Sequence, residues 1–221
     1  MVFKPDAVII DPPQQHKKSV IWLHGLGADG HDFEPIVPEL QLPDELGVSF
    51  IFPNAPFRPV TINGGMNMRA WYDVRSPNLR EQEDEASILV STALVNDYIQ
   101  HEIDSGLQST DIILAGFSQG GAITLHCGLR FLQPLAGLIA LSTYLPFPEQ
   151  LNKVNSINQT TPILMAHGVA DPVIPLEQGR DSKNTLEQQG YQVEWYEYMM
   201  QHAVCPQEID IIGEWIKSRF N

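Results

Sequence analysis

The sequence predicts an α/β protein: a mostly parallel, twisted sheet with helices on both faces. Three observations carry this. Short, almost wholly apolar runs recur along the chain, each bounded by turn residues, as strands covered on both faces require. Longer stretches with apolar residues at helical spacing lie between them. No internal repeat, low-complexity tract or linker interrupts the alternation, and 221 residues suit one domain with a sizeable core rather than two. The reading is therefore a single domain over residues 1–221.

Residues 19–23 form the first expected strand, followed by a loop through Gly25, Gly27 and Gly30. A second strand spans 48–52. Segment 54–78 then breaks the alternation, with Pro56, Pro59, Gly64, Gly65 and Pro77 among Met66, Met68, Trp71 and Tyr72. A long loop inside a compact domain is more often functional than incidental. Helix 83–102 follows, with Ile88, Leu89, Thr92, Ala93, Val95 and Ile99 clustered on one side. Glu81, Glu83, Asp84 and Glu85 at its start read as favourable charge near a helix N-terminus rather than as a metal site. Strand 111–115 leads into helix 120–131, and strands 138–141 and 163–166 come next. Helix 176–189 ends at Gly190. Residues 191–199 mix β-branched, aromatic and charged side chains, which suits a strand nearer the sheet edge, and helix 207–219 closes the pattern.

Composition narrows the function. A formal net charge of −14 repels phosphate backbones, which argues against nucleic acid as a partner. It also repels anionic lipid surfaces, and no run approaches the roughly 18 apolar residues of a membrane span, so no stable membrane anchor is expected. Residues 1–6 lack the basic and apolar regions of a signal peptide, and the expected location is cytoplasmic. The two cysteines, Cys127 and Cys205, read as free thiols without metal-ligand spacing.

The chemistry starts at Gly116-Phe117-Ser118-Gln119-Gly120, a G-x-S-x-G pattern directly after strand 111–115 and before helix 120–131. Strand, sharp turn and helix are the surroundings of the nucleophile elbow in an α/β-hydrolase. The turn forces the serine into a strained backbone conformation that lifts its hydroxyl above the sheet edge, while glycines let the neighbouring segments approach. A serine hydroxyl needs a base within reach and a group to orient that base, and in this fold they follow in the order Ser, Asp or Glu, His. Asp171 lies just beyond strand 163–166, at the sheet edge that carries Ser118. Among seven histidines His202 alone has the right order and position, between the last strand and the last helix. His24 and His167 each precede a glycine at a strand end, where a histidine more often shapes a turn by local hydrogen bonding. An oxyanion hole needs two backbone N–H donors: the residue after the nucleophile, Gln119, and a residue in the loop after an early strand, for which Leu26 is the choice.

Leu23-His24-Gly25-Leu26-Gly27-Ala28-Asp29-Gly30, Pro53-Asn54-Ala55-Pro56, Ala70-Trp71-Tyr72-Asp73, Gly116 through Gly121, and His167-Gly168 through Asp171-Pro172-Val173 together resemble the acyl-protein thioesterase, lysophospholipase and small carboxylesterase family. The matches run from about residue 20 to the C-terminus. The resemblance implies an α/β-hydrolase without a large cap domain, acting on carboxylic esters or thioesters with the acyl chain in an apolar channel. Small esters, lysophospholipids and acylated proteins are the implied substrates. It implies no cofactor and no metal, and allows a monomer or a homodimer formed over the active-site face. The family's triad maps to Ser118, Asp171 and His202, and its oxyanion hole to Leu26 and Gln119. Its Trp-Tyr/Phe-Asp segment maps to Trp71, Tyr72 and Asp73, so Trp71 either lines the pocket or packs beneath it. Where the family often has glycine before the histidine, this chain reads Met199-Met200-Gln201-His202.

Apolar loop residues from 62 to 68, including Met66, with Phe147 and Leu176 nearby, are expected to line the acyl site. The nearest rival within hydrolases is a general short-chain carboxylesterase; a peptidase is less expected, since nothing in these residues reads as a propeller or other gating domain. The rival from another class is a non-catalytic binding protein that keeps the fold. Such a protein usually lacks a triad member, and here Ser118, Asp171 and His202 are present in order.

Overall fold

The computed structural model describes residues 5–78, 80–154 and 156–221; residues 1–4, part of the segment read for a targeting signal, lie outside it. Its strands are β1 (Ala7–Ile10), β2 (Lys18–Leu23), β3 (Val48–Pro53), β4 (Phe57–Val60), β5 (Met66–Arg69), β6 (Ile112–Phe117), β7 (Gly137–Leu141), β8 (Ile163–Gly168) and β9 (Val193–Tyr198). The α-helices are α1 (Glu85–Asp104), α2 (Gln119–Arg130), α3 (Leu176–Gln188) and α4 (Pro206–Phe220). Among the described residues, seven strands form one sheet in the order β1-β3-β2-β6-β7-β8-β9, with β1 antiparallel and the others parallel.

Side chains alternate across the pleat, and each face of the sheet receives its own set. Ile21, Leu23, Ile112, Leu114 and Leu138 pack with Ile88, Val95 and Ile99 of α1 and Ala122 and Ile123 of α2. Their sequence neighbours Val20, Trp22, Ile113 and Ile139 face the other way, onto Ile212, Trp215, Ile216 and Phe220 of α4. Each large apolar side chain buried in this way contributes roughly 1.5–3 kcal/mol. The sheet is thus covered on both faces, as its unbroken apolar strands require. Among the described residues, no helix is long and apolar enough to cross a membrane.

Two elements escape the sequence reading. β1 is a short antiparallel edge strand, paired with β3 from Ala7↔Pro53 to Ile10↔Phe50. The segment expected as an irregular loop contains the antiparallel hairpin β4–β5, joined through a 3₁₀ turn at Thr61–Asn63. Pro59 within β4 disguises it, since proline enters strands only where no ladder donor is needed. β6 also runs further than expected, through Gly116 and Phe117.

The strand order positions the chemistry. From β2 the chain moves outward to β3 and β1's side of the sheet, whereas β6 leads toward β7 on the other side. The loops after β2 and β6 therefore diverge, and a crevice opens between two adjacent strand ends, where Leu23 pairs with Gly116. Such a switch point is where open α/β sheets bind their ligands.

Candidate active site

Ser118 occupies the turn between β6 and α2 with φ 55° and ψ −119°, a conformation that costs a non-glycine residue roughly 1–3 kcal/mol. The segments around it approach so closely that only glycine fits beside it. A Cβ on Gly116 would lie 2.4 Å from the Gly120 carbonyl carbon, and one on Gly120 only 2.3 Å from the Leu23 carbonyl oxygen. Hydrogen bonds hold the strained residue from both sides: its N–H donates to Leu141 C=O at 2.9 Å, and its own C=O accepts Thr143 Oγ1–H at 2.7 Å.

His202 comes from the loop between β9 and α4. Its Nε2 lies 2.9 Å from Ser118 Oγ, and its Nδ1 lies 2.7 Å from Asp171 Oδ2. A carboxylate can only accept, so Nδ1 carries the proton and Nε2 offers its lone pair to the serine hydroxyl. The Phe117 ring lies against the imidazole at 4.7 Å between centroids. The Gln201 departure from glycine does not strain this loop: Gln201 is absent from the described non-glycine residues with positive φ. The close approach is supplied across the loop by Gly168, where a Cβ would lie 2.3 Å from Gln201 C=O and 2.6 Å from Met200 C=O.

Asp171 follows the end of β8 and its side chain is fully enclosed. Oδ1 accepts the N–H groups of Val173 at 2.8 Å and Ile174 at 2.9 Å, leaving Oδ2 for His202. Burial alone would raise the carboxyl's pKa, but the hydrogen bonds from His202, Ile174 and Val173 outweigh it and hold the group below its ordinary range. The aspartate therefore stays ionised beside the imidazole.

The other two strand-end histidines brace turns. His167 Nε2–H donates to Ile174 C=O at 2.9 Å, closing the loop that carries Asp171. His24 Nδ1–H donates to Gly25 C=O at 2.7 Å, while its Nε2 accepts Ala55 N–H at 3.1 Å, tying the β2 loop to the end of β3. Burial lowers the pKa of both, so they are neutral struts.

Leu26 and Gln119 meet at the same groove as Ser118. Among the described residues, neither backbone N–H has a hydrogen-bond acceptor. The Gln119 carboxamide fixes its own backbone by accepting Trp71 N–H and donating to Tyr72 C=O, each at 2.7 Å. Trp71 in turn donates its indole N–H to His24 C=O at 2.9 Å, which joins the Leu26 loop to Gln119.

The groove encloses about 370 Å³, and besides Leu26, Ser118 and Gln119 it is walled by Ile62, Tyr72, Val74, Tyr144, Val173 and Ile174. This keeps Ile62 of the expected lining and corrects it at Met66, Phe147 and Leu176. Trp71 is wholly buried and braces the oxyanion loop instead of facing substrate. Met66 stands exposed on the hairpin, Phe147 packs edge-on against His126, and Leu176 begins α3; none of them lines the groove. Tyr72 and Val173 stand within the Ala70-Trp71-Tyr72-Asp73 and Asp171-Pro172-Val173 motifs, and Tyr144 lies just past the end of β7, the edge where such a site forms.

The family model described as phospholipase/carboxylesterase matches residues 4–219. Acyl-protein thioesterase 1 of Neurospora crassa is 41% identical, over 96% of this chain and 91% of that protein. The crystal structure of Arabidopsis thaliana SOBER1 superposes with a TM-score of 0.87 at 34% identity, covering 93% of this chain and 100% of that one. That of Zea mays acyl-protein thioesterase 2 gives 0.85 at 26% identity, with 99% and 100% covered.

Proposed function

The chain belongs to the phospholipase/carboxylesterase family and is a hydrolase of the esterase and thioesterase type; from that premise we propose that Ser118, His202 and Asp171 are its catalytic triad, with Leu26 and Gln119 as its oxyanion donors. The observation that carries this is the unbroken relay from Ser118 Oγ through both ring nitrogens of His202 to Asp171 Oδ2, at 2.9 and 2.7 Å.

The chemistry follows from the geometry. As Ser118 Oγ attacks the acyl carbonyl, His202 Nε2 takes its proton, and the ionised Asp171 stabilises the imidazolium that forms. Charge develops on the carbonyl oxygen, where the Leu26 and Gln119 N–H groups receive it; one such donor contributes about 3–4 kcal/mol to the transition state. His202 then protonates the departing alkoxide or thiolate. In the second half-reaction it activates a water molecule, which releases the carboxylic acid and regenerates the serine.

Relatives named acyl-protein thioesterases support acyl thioesters on proteins as substrates, alongside simple carboxylic esters. The free cysteines Cys127 and Cys205 support a cytoplasmic setting. The test is covalent labelling by a fluorophosphonate, with hydrolysis of a p-nitrophenyl ester followed in parallel. Both signals are expected to vanish in Ser118→Ala. A variant that labels and turns over like the parent chain would overturn the assignment, and an unlabelled parent would point to a binding protein.

A further inference from the structure

The groove beside Ser118 is mostly apolar, but two phenols stand in its wall. Tyr72 Oη and Tyr144 Oη lie 3.1 Å apart, and both residues are almost completely buried. Two hydroxyls bring two O–H donors. One donates to the other oxygen, and the second has no acceptor among the described residues. Glu83 stands near both, but one of its oxygens accepts Phe147 N–H at 3.3 Å and the other has no partner among the described residues. Burial, and then the neighbouring oxygen and carboxyl, push the Tyr72 pKa well above its ordinary value; burial does the same for Tyr144. Both therefore remain O–H donors throughout the working range. An unmade hydrogen bond in such a desolvated position is costly, and a saturated acyl chain laid along this wall offers the spare donor no acceptor.

We propose that the Tyr72–Tyr144 pair is a specificity subsite that accepts a hydrogen bond acceptor on the distal part of the acyl chain, so that oxygenated acyl groups are cleaved in preference to alkyl groups of equal length. The proposal rests on Ser118 being the nucleophile at the head of this groove. The acyl carbonyl is held at the oxyanion donors, and the chain then runs past Ile62 and Val74 toward the phenols. An acceptor that reaches the spare O–H restores the missing bond, whereas a methylene there does not.

The experiment measures kcat/KM for p-nitrophenyl esters of increasing acyl length, each paired with its ω-hydroxy analogue. The hydroxy-to-alkyl ratio is taken within each protein, so partial loss of folded enzyme cancels. In the parent chain the ratio should rise above one at a particular length, by roughly 2- to 10-fold. Tyr72→Phe and Tyr144→Phe each leave one phenol and should keep the preference. The double variant should invert it, because the hydroxyl then meets two apolar rings. A purely structural role for the pair predicts the same ratio in all four proteins. A ratio at or below one at every length in the parent, or one unchanged in the double variant, would overturn the subsite. Ser118→Ala separates the two levels: activity surviving there removes the triad and the subsite with it, whereas activity lost there, together with a ratio left unaltered by the Tyr72→Phe/Tyr144→Phe double substitution, removes the subsite alone.

Discussion

Gln119 reaches from the first turn of α2 to Trp71, whose backbone N–H its Oε1 accepts at 2.7 Å, and the same carboxamide donates to Tyr72 C=O at 2.7 Å. The side chain thus anchors the residue whose backbone is proposed to stabilise the oxyanion. Gln119→Ala leaves a buried N–H and a buried C=O unpaired, at about 1–3 kcal/mol each. Chemical denaturation should show this loss of stability. Steady-state kinetics should show kcat reduced with KM little changed, because the freed Gln119 N–H fails in the transition state and not in substrate binding. A stable variant with full kcat would show that the clamp is dispensable.

Asp171→Asn isolates the orienting carboxylate. Asparagine preserves the shape but offers His202 Nδ1 an N–H as readily as an acceptor, so the tautomer with a basic Nε2 is no longer enforced. The expected loss in kcat near neutral pH is about 10⁴-fold. The same residue has a pH signature in stability. Its folded-state pKa is depressed, after burial is outweighed by His202, Ile174 and Val173, so its contribution is present above the unfolded-state value and is lost as pH falls through the folded one. The stability gap between the parent chain and Asp171→Asn, measured by denaturant titration, should accordingly shrink below pH ~4. A gap independent of pH would show that ionisation of Asp171 does not stabilise the fold.

The sequence made these residues visible for a physical reason. Ser118, Asp171 and His202 each lie at the C-terminal end of a parallel strand, and strand, turn and helix leave local marks in apolar runs and glycines. The wall of the groove leaves fewer. Ile62 stood in the apolar stretch expected there, but Tyr144 and Ile174 come from other loops, and only the fold brings them beside it. Trp71 was legible as important but not in its role: nothing local distinguishes an aromatic that touches substrate from one that pins a carbonyl at 2.9 Å beneath it. The β4–β5 hairpin was hidden by Pro59 and by the exposure of Phe57 and Met66, which removes the alternating burial that marks a strand.

Glu208, in the first turn of α4, gives a prediction of opposite sign. It is only 1% exposed, and burial pushes its carboxyl up to about 8, against a weaker downward pull from the Cys205 N–H. A folded-state value above the unfolded one means that its contribution is fully present below about 4.5 and is lost as pH rises through about 8. Glu208→Gln removes this dependence. Relative to the parent chain it should gain stability at pH ~9, on the order of a few kcal/mol, and gain little at pH ~4. Equal differences at the two pH values would show that Glu208 does not titrate in the folded protein.

Gly168 tests whether the position of His202 is set from a distance. It ends β8, its φ lies outside the left-handed region, and alanine there is conformationally permitted. The obstacle is contact: the new methyl would lie 2.3 Å from Gln201 C=O and 2.6 Å from Met200 C=O, so the loop must move away from β8. Ala170 N–H bonds to Met200 C=O at 3.1 Å, and that tie between the Asp171 and His202 loops lengthens with it. A displacement near 1 Å at the base is worth about 10²-fold in kcat. Gly168→Ala should therefore lose kcat and react slowly with a fluorophosphonate, while KM changes little, since no groove residue has been touched. Retained kcat in the folded variant would mean that the His202 loop is positioned by α4 and the Phe117 ring rather than by the end of β8.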